Sequence, residues 1–339
     1  MTVHVEEYIA PAQEHRASDL PFDGFARSWY QVAWSHDLPV GEAKRARYFG
    51  EELVMYRGQS GNVVVMDAYC GHLGAHLAVG GTVIEDDIVC PFHGWRWDGD
   101  GRNVDIPYSK RVCNKAASMR SYPVMEIDGL VLAWYDPDAA EPTWRPPGLP
   151  EFSDDDFYPL IPHGVMKHWK GVQLQPQHVL ENSADTAHLM YVHKNAKVPE
   201  LLRHETDGPF FHFSFAATYL TPEWGEVPGE IPGAWWGIGI LTFRMKGVHD
   251  SAEYVTVTPI DDCRSDMRVT VIARRVPGHD SPAGTIADRV TRHQVKEVDR
   301  DLPIWENMRY NPNPPFAVEE VKAFNRLRNW SHQFYPNGA

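Results

Sequence analysis

The sequence has few cysteines, fewer basic than acidic residues and no long apolar run. Four cysteines among 339 residues cannot form the disulfide framework of a small secreted protein. With 32 basic and 46 acidic side chains the net charge is −14, which argues against binding to nucleic acid or anionic membrane. No apolar run approaches the roughly 20 residues that span a bilayer. The first residues also lack the pattern of a signal peptide, so we expect a cytoplasmic protein.

The chain is long enough for two domains. Residues 28–140 contain short strand-like runs separated by Gly, Asp and Asn, which predicts an all-β domain. A proline-rich stretch at 142–150 marks the boundary to residues 141–339, whose mixed patterns predict an α+β domain with an antiparallel sheet. Residues 1–27 are predicted to form an N-terminal arm.

Within the second domain, three segments carry the clearest patterns. Residues 173–193 have few turn signals after Pro176 and are predicted to be helical. Phe211 to Tyr219 alternate with a period of two, as in a strand with one buried face. A long helix is predicted to begin near Thr285. Further strands are predicted at 237–245, 253–259 and 267–274.

Histidine is abundant, with 17 copies, and two of the histidines form a regular motif with two cysteines. Cys70-x-His72 is followed after 17 residues by Cys90-x-x-His93. Two thiols and two imidazoles can hold tetrahedral zinc, or a Rieske-type [2Fe–2S] cluster with the cysteines on one iron and the histidines on the other. Because zinc fingers group both cysteines before both histidines, the alternation of Cys and His favours the cluster.

Three other histidine and cysteine residues are not predicted to be metal ligands. His76 lies four residues after His72 and is interpreted as an ordinary polar residue beside the loop. Cys113 and Cys263 have no partner pattern and are interpreted as buried thiols.

A second metal motif occurs in the predicted helix, where Asp185 precedes His188 and His193. Histidines five residues apart are about 140° apart on an ideal helix, so the helix must end or bulge for both to bind one metal. Two imidazoles and one carboxylate on one side of Fe(II) leave open positions for O₂. An electron-carrying cluster in the same chain favours such an iron site.

The missing carboxylate is sought in the late helix, which contains Asp299 and Asp301. At about 100° per residue, Asp301 lies on or beside the apolar stripe that includes Leu302 and Trp305, while Asp299 points away. A carboxylate on an apolar face needs a cation or another partner. We therefore predict Asp301 as the third ligand, with Asp299 as the alternative; an ion pair of Asp301 with a nearby arginine is the competing structural explanation.

Taken together, these motifs resemble the oxygenase (alpha) component of Rieske non-haem iron oxygenases. Within that family the chain is most similar to the 3-ketosteroid 9α-hydroxylase oxygenase group. The resemblance covers nearly the whole chain. It rests on both metal motifs and on further segments, namely 90–97, 99–102, 107–108, 300–305 and 330–335.

The resemblance implies a Rieske domain followed by a helix-grip domain, assembled as a homotrimer. It also implies that Asp185 links a cluster histidine of one subunit to an iron histidine of the next. Asn182, one turn earlier, is either a hydrogen-bonding group near the iron or a surface amide. Electrons would come from NADH through a separate flavin or iron–sulfur reductase, with or without a ferredoxin, and O₂ would be the oxidant.

The substrate implied is a hydrophobic, steroid-like molecule that receives one oxygen atom. Six aromatic residues are candidates for an apolar pocket, although at strand spacing they also suit a simple core: Phe211, Phe213, Phe215, Trp224, Trp235 and Trp236. Dioxygenation of aromatics, O- or N-demethylation and sterol desaturation would use the same metal ligands. A Rieske electron-transfer protein and a zinc-stabilised interaction protein are the alternatives that are not enzymes.

Overall fold

The computed structural model describes residues 5–10, 19–110, 117–221 and 225–336. The chain forms two compact units: residues 30–143, here called the N-terminal unit, and residues 1–29 with 144–339, here called the C-terminal unit. The first strand, β1 (Val5–Ile9), belongs to the C-terminal unit. In the part of the chain described, every helix is too short or too polar to cross a bilayer.

The N-terminal unit is built from short antiparallel strands in three sheets. Asp128-Gly129, both at positive φ, form a two-residue hairpin turn of the kind such dipeptides favour. The sheet orders are β10-β5-β4-β3, β11-β12-β2 and β6-β7-β8-β9. The strands are β2 (Ser28–Trp34), β3 (Ala43–Tyr48), β4 (Glu51–Arg57), β5 (Val63–Asp67), β6 (Thr82–Ile84), β7 (Asp87–Val89), β8 (Arg96–Trp97), β9 (Asn103–Asp105), β10 (Ser121–Tyr122), β11 (Val124–Ile127) and β12 (Leu130–Tyr135).

One eight-stranded sheet dominates the C-terminal unit, in the order β1-β13-β19-β18-β17-β16-β15-β14. Its neighbouring strands are antiparallel, except that β1 pairs with β13 in parallel. The remaining strands are β13 (Val165–Val172), β14 (Leu201–Asp207), β15 (Phe210–Thr221), β16 (Gly225–Trp236), β17 (Ile240–Met245), β18 (Ser251–Pro259) and β19 (Ser265–Ala273).

The helices of the C-terminal unit include one long amphipathic helix that packs on the sheet at β13, β18 and β19. Thr285 caps this helix, α4, by accepting a hydrogen bond from the backbone N–H of Ala287. Its buried stripe includes Val298, Leu302 and Trp305, as its sequence period requires. The helices are α1 (Leu160–His163), α2 (Pro176–Glu181), α3 (Ala187–Tyr191), α4 (Ile286–Trp305) and α5 (Val321–Ser331).

The predicted fold class, an all-β unit followed by an α+β unit, is confirmed. The predicted single helix over 173–193 is wrong, because two short helices, α2 and α3, replace it. Between them the backbone is held in tighter i→i−3 bonds, such as Asp185 N–H to the carbonyl of Asn182. Asn, Ser and Asp side chains compete with helical bonding, which explains the interruption at 182–186.

Candidate metal centres

The first candidate site is built from two loops of the N-terminal unit that share one backbone pattern. In each, the cysteine N–H donates to the carbonyl five residues later, at 2.9 Å for Cys70 and 2.8 Å for Cys90. The cysteine carbonyl in turn accepts from Gly74 or Gly94, at 2.9 and 3.0 Å. Both glycines have φ of 72°, a conformation that side chains disfavour. The sequence therefore presents two matched loops with a cysteine at the base of each.

These loops bring the four predicted cluster residues together. Cys70 and Cys90 are each only 3% exposed and belong to the hydrophobic core of the unit. Burial and the neighbouring Cys90 thiol raise the pKa of the Cys70 thiol. The rings of His72 and His93 have centroids 4.9 Å apart, and Trp95 stacks on His72 at 4.3 Å.

The donor set fits a [2Fe–2S] cluster of the Rieske type. Cys70 and Cys90 are free thiols, and a cluster would bind both as thiolates. His93 Nδ1 is buried and forms no hydrogen bond among the described residues, as a nitrogen reserved for a metal would be. His76 lies apart from this set: its Nδ1 accepts a hydrogen bond from Ala78 N–H, and its Nε2 is 3.5 Å from Glu52.

The second candidate site begins at the interruption between α2 and α3. The Asp185 carboxylate accepts hydrogen bonds from the backbone N–H groups of Ala187 and His188, at 3.0 and 3.1 Å, and so holds the first turn of α3. His188 Nδ1 lies 2.5 Å from the carbonyl oxygen of Asp185. With Nδ1–H donating to that carbonyl, His188 Nε2 carries the free lone pair that a metal binds.

Because α3 ends at Tyr191, His193 is released from the helix and turns toward α4. Its Nδ1 is 2.7 Å from Glu297 Oε2, and its Nε2 is 3.3 Å from Asp301 Oδ2. Burial alone would lower the pKa of His193, but Asp301 and Glu297 together raise it to about 9. Burial lowers the pKa of His188, which favours the neutral, metal-binding form of that ring.

His188, His193 and Asp301 therefore meet at one point. Each offers a ligand atom, and these atoms all lie within 4.8 Å of one another. This arrangement suits a cation held by two imidazoles and one carboxylate. Asp299 lies elsewhere: Lys167 Nζ donates to both of its oxygens at 2.7 and 2.8 Å, and Trp169 Nε1 donates at 2.9 Å.

The three side chains form part of the wall of a chamber between α4 and the sheet. The chamber has a volume of about 170 Å³. Most of the other side chains around it are apolar, including Leu189, Phe213, Phe215, Leu241, Phe243 and Trp305. A chamber of this composition keeps water away from the metal position and accepts a hydrophobic molecule.

The apolar chamber also contains isolated polar groups. Glu253 lies on β18 between Phe243 and Val271 of the neighbouring strands and is 5% exposed. Burial, with a smaller contribution from Glu297, raises the pKa of Glu253 to about 8. The hydroxyl of Tyr219 is buried and forms no hydrogen bond within the described part of the chain. Both residues line the chamber.

The other predicted residues have separate positions. Asn182 lines the chamber, and its side-chain oxygen lies 3.4 Å from Trp305 Nε1. Of the predicted aromatic pocket, Phe213 and Phe215 line the chamber, whereas Phe211 packs against Trp330 in the core and Trp235 donates to Ser183. The ring of Trp236 packs on Tyr254, and both Cys113 and Trp224 lie outside the described residues.

Two carboxyl groups of this site were missed by the sequence analysis. Glu297 is four residues before Asp301 on α4 and so shares its face, a spacing that could have identified it. Glu253 carried no signal, because its strand is buried on both faces and shows no alternation.

Two family models match the chain. Residues 28–123 match the Rieske [2Fe-2S] domain, and residues 133–335 match the 3-ketosteroid 9alpha-hydroxylase C-terminal domain. The chain is 37% identical over 356 residues to cholesterol 7-desaturase of Hemicentrotus pulcherrimus, covering 95% of this chain and 72% of that protein. It is 27% identical over 338 residues to a probable 3-ketosteroid-9-alpha-monooxygenase oxygenase component of Rhodococcus rhodochrous, covering 93% and 81%.

Solved structures share the fold at lower sequence identity. Dicamba monooxygenase bound to dicamba superposes with a TM-score of 0.66 at 19% identity, covering 92% of this chain and 98% of that one. NdmB of Pseudomonas putida CBB5 gives 0.68 at 18% identity, covering 90% and 89%.

The C-terminal family model alone matches more than half of the chain, and the Rieske model accounts for most of the N-terminal unit. The resemblance drawn from the motifs is thereby confirmed, and the non-enzyme alternatives are set aside. The chain belongs to the Rieske non-haem iron oxygenases, as an oxygenase component with a C-terminal domain of the 3-ketosteroid 9α-hydroxylase type, and it is an iron–sulfur and iron enzyme.

Proposed function

We propose that this chain is the terminal oxygenase that hydroxylates a hydrophobic, steroid-like molecule. The observation that carries the proposal is that His188, His193 and Asp301 converge in the wall of a mostly apolar chamber. In the net reaction one oxygen atom of O₂ enters a C–H bond and the other becomes water, with two electrons and two protons consumed.

In this proposal the residues of the N-terminal unit hold the electron-accepting group. Cys70 and Cys90 ligate one iron of a [2Fe–2S] cluster, and His72 and His93 ligate the other. Such a cluster supplies transfer of one electron at a time. The buried thiols fix it in the hydrophobic core, while Trp95, stacked on His72, limits the access of water.

The residues of the C-terminal unit hold Fe(II), which supplies open coordination positions where O₂ reacts. His188, His193 and Asp301 are the ligands. Glu297 accepts a hydrogen bond from Nδ1–H of His193, and the Asp185 carbonyl accepts one from Nδ1–H of His188, so both rings are fixed in orientation and tautomer. Asn182 positions Trp305 at the chamber wall.

The chamber selects the substrate by its shape and polarity. Its apolar side chains favour a hydrophobic ring system and exclude water from the reacting carbon. Glu253 is held in its neutral form by burial and can donate a hydrogen bond to a carbonyl or hydroxyl oxygen. The relatives named as steroid and sterol enzymes act on molecules of this kind, which supports a steroid-like substrate.

The partners follow from the need for electrons. We propose NADH as the source and a separate flavin or iron–sulfur reductase as the carrier, with or without a ferredoxin, in the cytoplasm. We further propose a homotrimer in which Asp185 connects the cluster of one subunit to the iron of the next. A carboxylate between two ligated imidazoles would give a short path for the electron.

A second outcome, desaturation, is favoured by one observation: the relative at 37% identity is named a cholesterol 7-desaturase. The same ligand residues would then serve removal of two hydrogen atoms, with both atoms of O₂ becoming water. The difference depends on which substrate bond lies nearest the reacting oxygen.

The test uses purified protein with its iron, a reductase and NADH. O₂ uptake is measured with 3-ketosteroids, sterols and small aromatics, and each product is identified by mass. Gain of one oxygen atom by a 3-ketosteroid, in step with NADH use, supports the hydroxylase. Loss of two hydrogen atoms from a sterol supports the desaturase, and oxidation of aromatics alone contradicts both. His188→Ala is the control that abolishes every product.

A further inference from the structure

The polar side chains of the chamber wall differ in whether they have partners within the described part of the chain. Most are paired, as in Asn182–Trp305, Ser183–Trp235, His188–Asp185 and His193–Glu297. Three have polar atoms that lack a partner among the described residues: Glu253, Gln294 and Tyr219. Because a buried polar atom without a partner costs free energy, such atoms mark places where polar atoms of a bound molecule fit.

The carboxyl of Glu253 is the most isolated of these groups. Glu297, a like charge, is the only charged group that shifts its pKa, and no hydrogen bond within the described chain contributes to that shift. Burial raises the pKa of Glu253 to about 8, so the carboxyl keeps its proton at neutral pH. A neutral carboxyl offers one O–H donor and one carbonyl acceptor to a molecule in the chamber.

Gln294 of α4 lies beside Glu253. Its amide Nε2 donates to the hydroxyl of Ser251, which is two residues before Glu253 and on the same face of β18. Glu297, which acts on the charge of Glu253, is one turn after Gln294 on α4. Gln294 is 3% exposed, and its Oε1 forms no hydrogen bond among the described residues. Since the two ends of an amide can exchange places, one end pairs with Ser251 and the other lacks a partner in either orientation.

The position of Gln294 on α4 separates this pair from the metal position. Gln294 and Asp301 lie two turns apart on one face of α4, about 10 Å along its axis. Both residues line the chamber, and the apolar side chains of Phe213 and Phe243 line it as well. A hydrophobic molecule that presents one carbon to the metal position therefore extends along apolar side chains, and a more distant part of it reaches Gln294.

We propose that Glu253 and Gln294 together bind an uncharged oxygen, a ketone or a hydroxyl, on a part of the substrate remote from the reacting carbon. The Glu253 O–H donates to that oxygen, and the free amide end of Gln294 forms a second hydrogen bond to the same group. A carboxylate is disfavoured there, because Glu297 is a nearby negative charge. Tyr219 lies three strands from β18, on β15, and is not part of this pair. The steroid identity of the substrate rests on the proposed function above, whereas the preference for an oxygen rests on this pair alone.

The test measures dissociation constants on the iron-loaded protein by tryptophan fluorescence, since Trp305 lines the chamber. One ligand series is androstan-3-one, androstan-3-ol and androstane, which share a skeleton and differ only in the oxygen. A smaller series of the same kind is decalone, decalol and decalin. Glu253→Met and Gln294→Met replace each polar group by an apolar chain of similar length, whereas Glu253→Gln keeps a donor and an acceptor. Ser183→Ala, which removes a chamber hydroxyl that already has a partner, is the matched control.

Two hydrogen bonds in an apolar wall should favour the ketone or the alcohol over the hydrocarbon by about 10- to 100-fold. We expect this ratio to fall to one or less in Glu253→Met, to fall in part in Gln294→Met, and to remain in Glu253→Gln and Ser183→Ala. If neither series shows the preference in the wild type, or if Glu253→Met keeps it or lowers it no more than Ser183→Ala does, the proposal is wrong. If the decalin series shows the preference while no steroid binds, the oxygen-binding pair stands and the steroid function fails.

Discussion

The two metal sites of this chain differ in how they are built and in what surrounds them. The four cluster residues come from two short matched loops, and exposed apolar side chains flank those loops, with Leu73 at 64% and Phe92 at 61%. The iron residues come from the α3 region and from α4, and Asp301 is only 8% exposed. One site is local in sequence and near the surface; the other is distant in sequence and deep in its unit.

This difference matches the two tasks. A group that accepts electrons from another protein has to lie near the surface, and loops at strand ends present it there. A group that directs O₂ at a substrate needs a dry chamber, since water would divert the reactive oxygen. Hence a small hydrophobic core supports the cluster site of the N-terminal unit, and a helix packed on an eight-stranded sheet supports the iron site of the C-terminal unit.

The largest expected effect is the loss of one metal centre while the other is retained. Cys90→Ser should remove the cluster, its visible absorbance and about two of three irons, and should destabilise the N-terminal unit because the thiol lies in its core. His188→Ala should keep the absorbance and lose only the mononuclear iron. Iron analysis and absorption spectra check both, with Cys263→Ser, a buried thiol outside either site, as the control. Loss of absorbance in His188→Ala would contradict independent sites.

The next effect tests Asp301, the predicted iron ligand that is distant in sequence from His188 and His193. Asp301→Asn should lower activity more than about 100-fold and reduce iron content, because an amide is a weak ligand for Fe(II). Asp299→Asn should retain iron and activity but lose about 1 kcal/mol of stability, through its contacts to Lys167 and Trp169. Iron content and thermal unfolding are measured for both variants. The reverse pattern would make Asp299 the ligand.

The same contrast explains what the sequence could predict. Cys70, His72, Cys90 and His93 could be predicted from spacing alone, because two local loops contain all four. Asp301 could be ranked above Asp299 only by its angle on a helix. The five-residue spacing of His188 and His193 predicted that the helix ends or bulges between them, and α3 does end at Tyr191. The break between α2 and α3 was not predicted, because it depends on side chains at 182–186 that cap and turn the backbone.

What remained beyond the sequence is set by tertiary packing. The chamber is lined by residues of α3, α4 and strands β15 to β18, and no local pattern in any of these elements indicates that they meet. Period-two alternation identified the strand of Phe211, Phe213 and Phe215 but could not tell that only the last two reach the chamber.

A moderate effect is expected at Glu297, whose carboxylate fixes the ring of His193. Glu297→Gln should weaken iron binding by about 10- to 100-fold, since the amide is a poorer partner for Nδ1–H, and leave the cluster spectrum unchanged. Asp288→Asn, which loses an exposed ion pair with Arg292 on the same helix, is the matched control. Titration with iron, monitored by calorimetry, measures the iron affinity of both variants. Equal affinities would show that the ring is held by packing alone.

The smallest effect concerns Glu253 and the pH dependence of the C-terminal unit. In the unfolded chain its carboxyl has a pKa near 4.5, whereas burial raises the folded pKa to about 8. Between these values the folded state binds the extra proton, so the free energy of unfolding should fall as pH rises, by about 2 kcal/mol from pH 6 to 8. Glu253→Gln keeps the shape without the titrating proton and should remove this part of the slope. Denaturant unfolding at the two pH values compares wild type and variant. An identical slope in both would mean that Glu253 is ionised in the folded chamber, which would also remove it as a hydrogen-bond donor to the substrate.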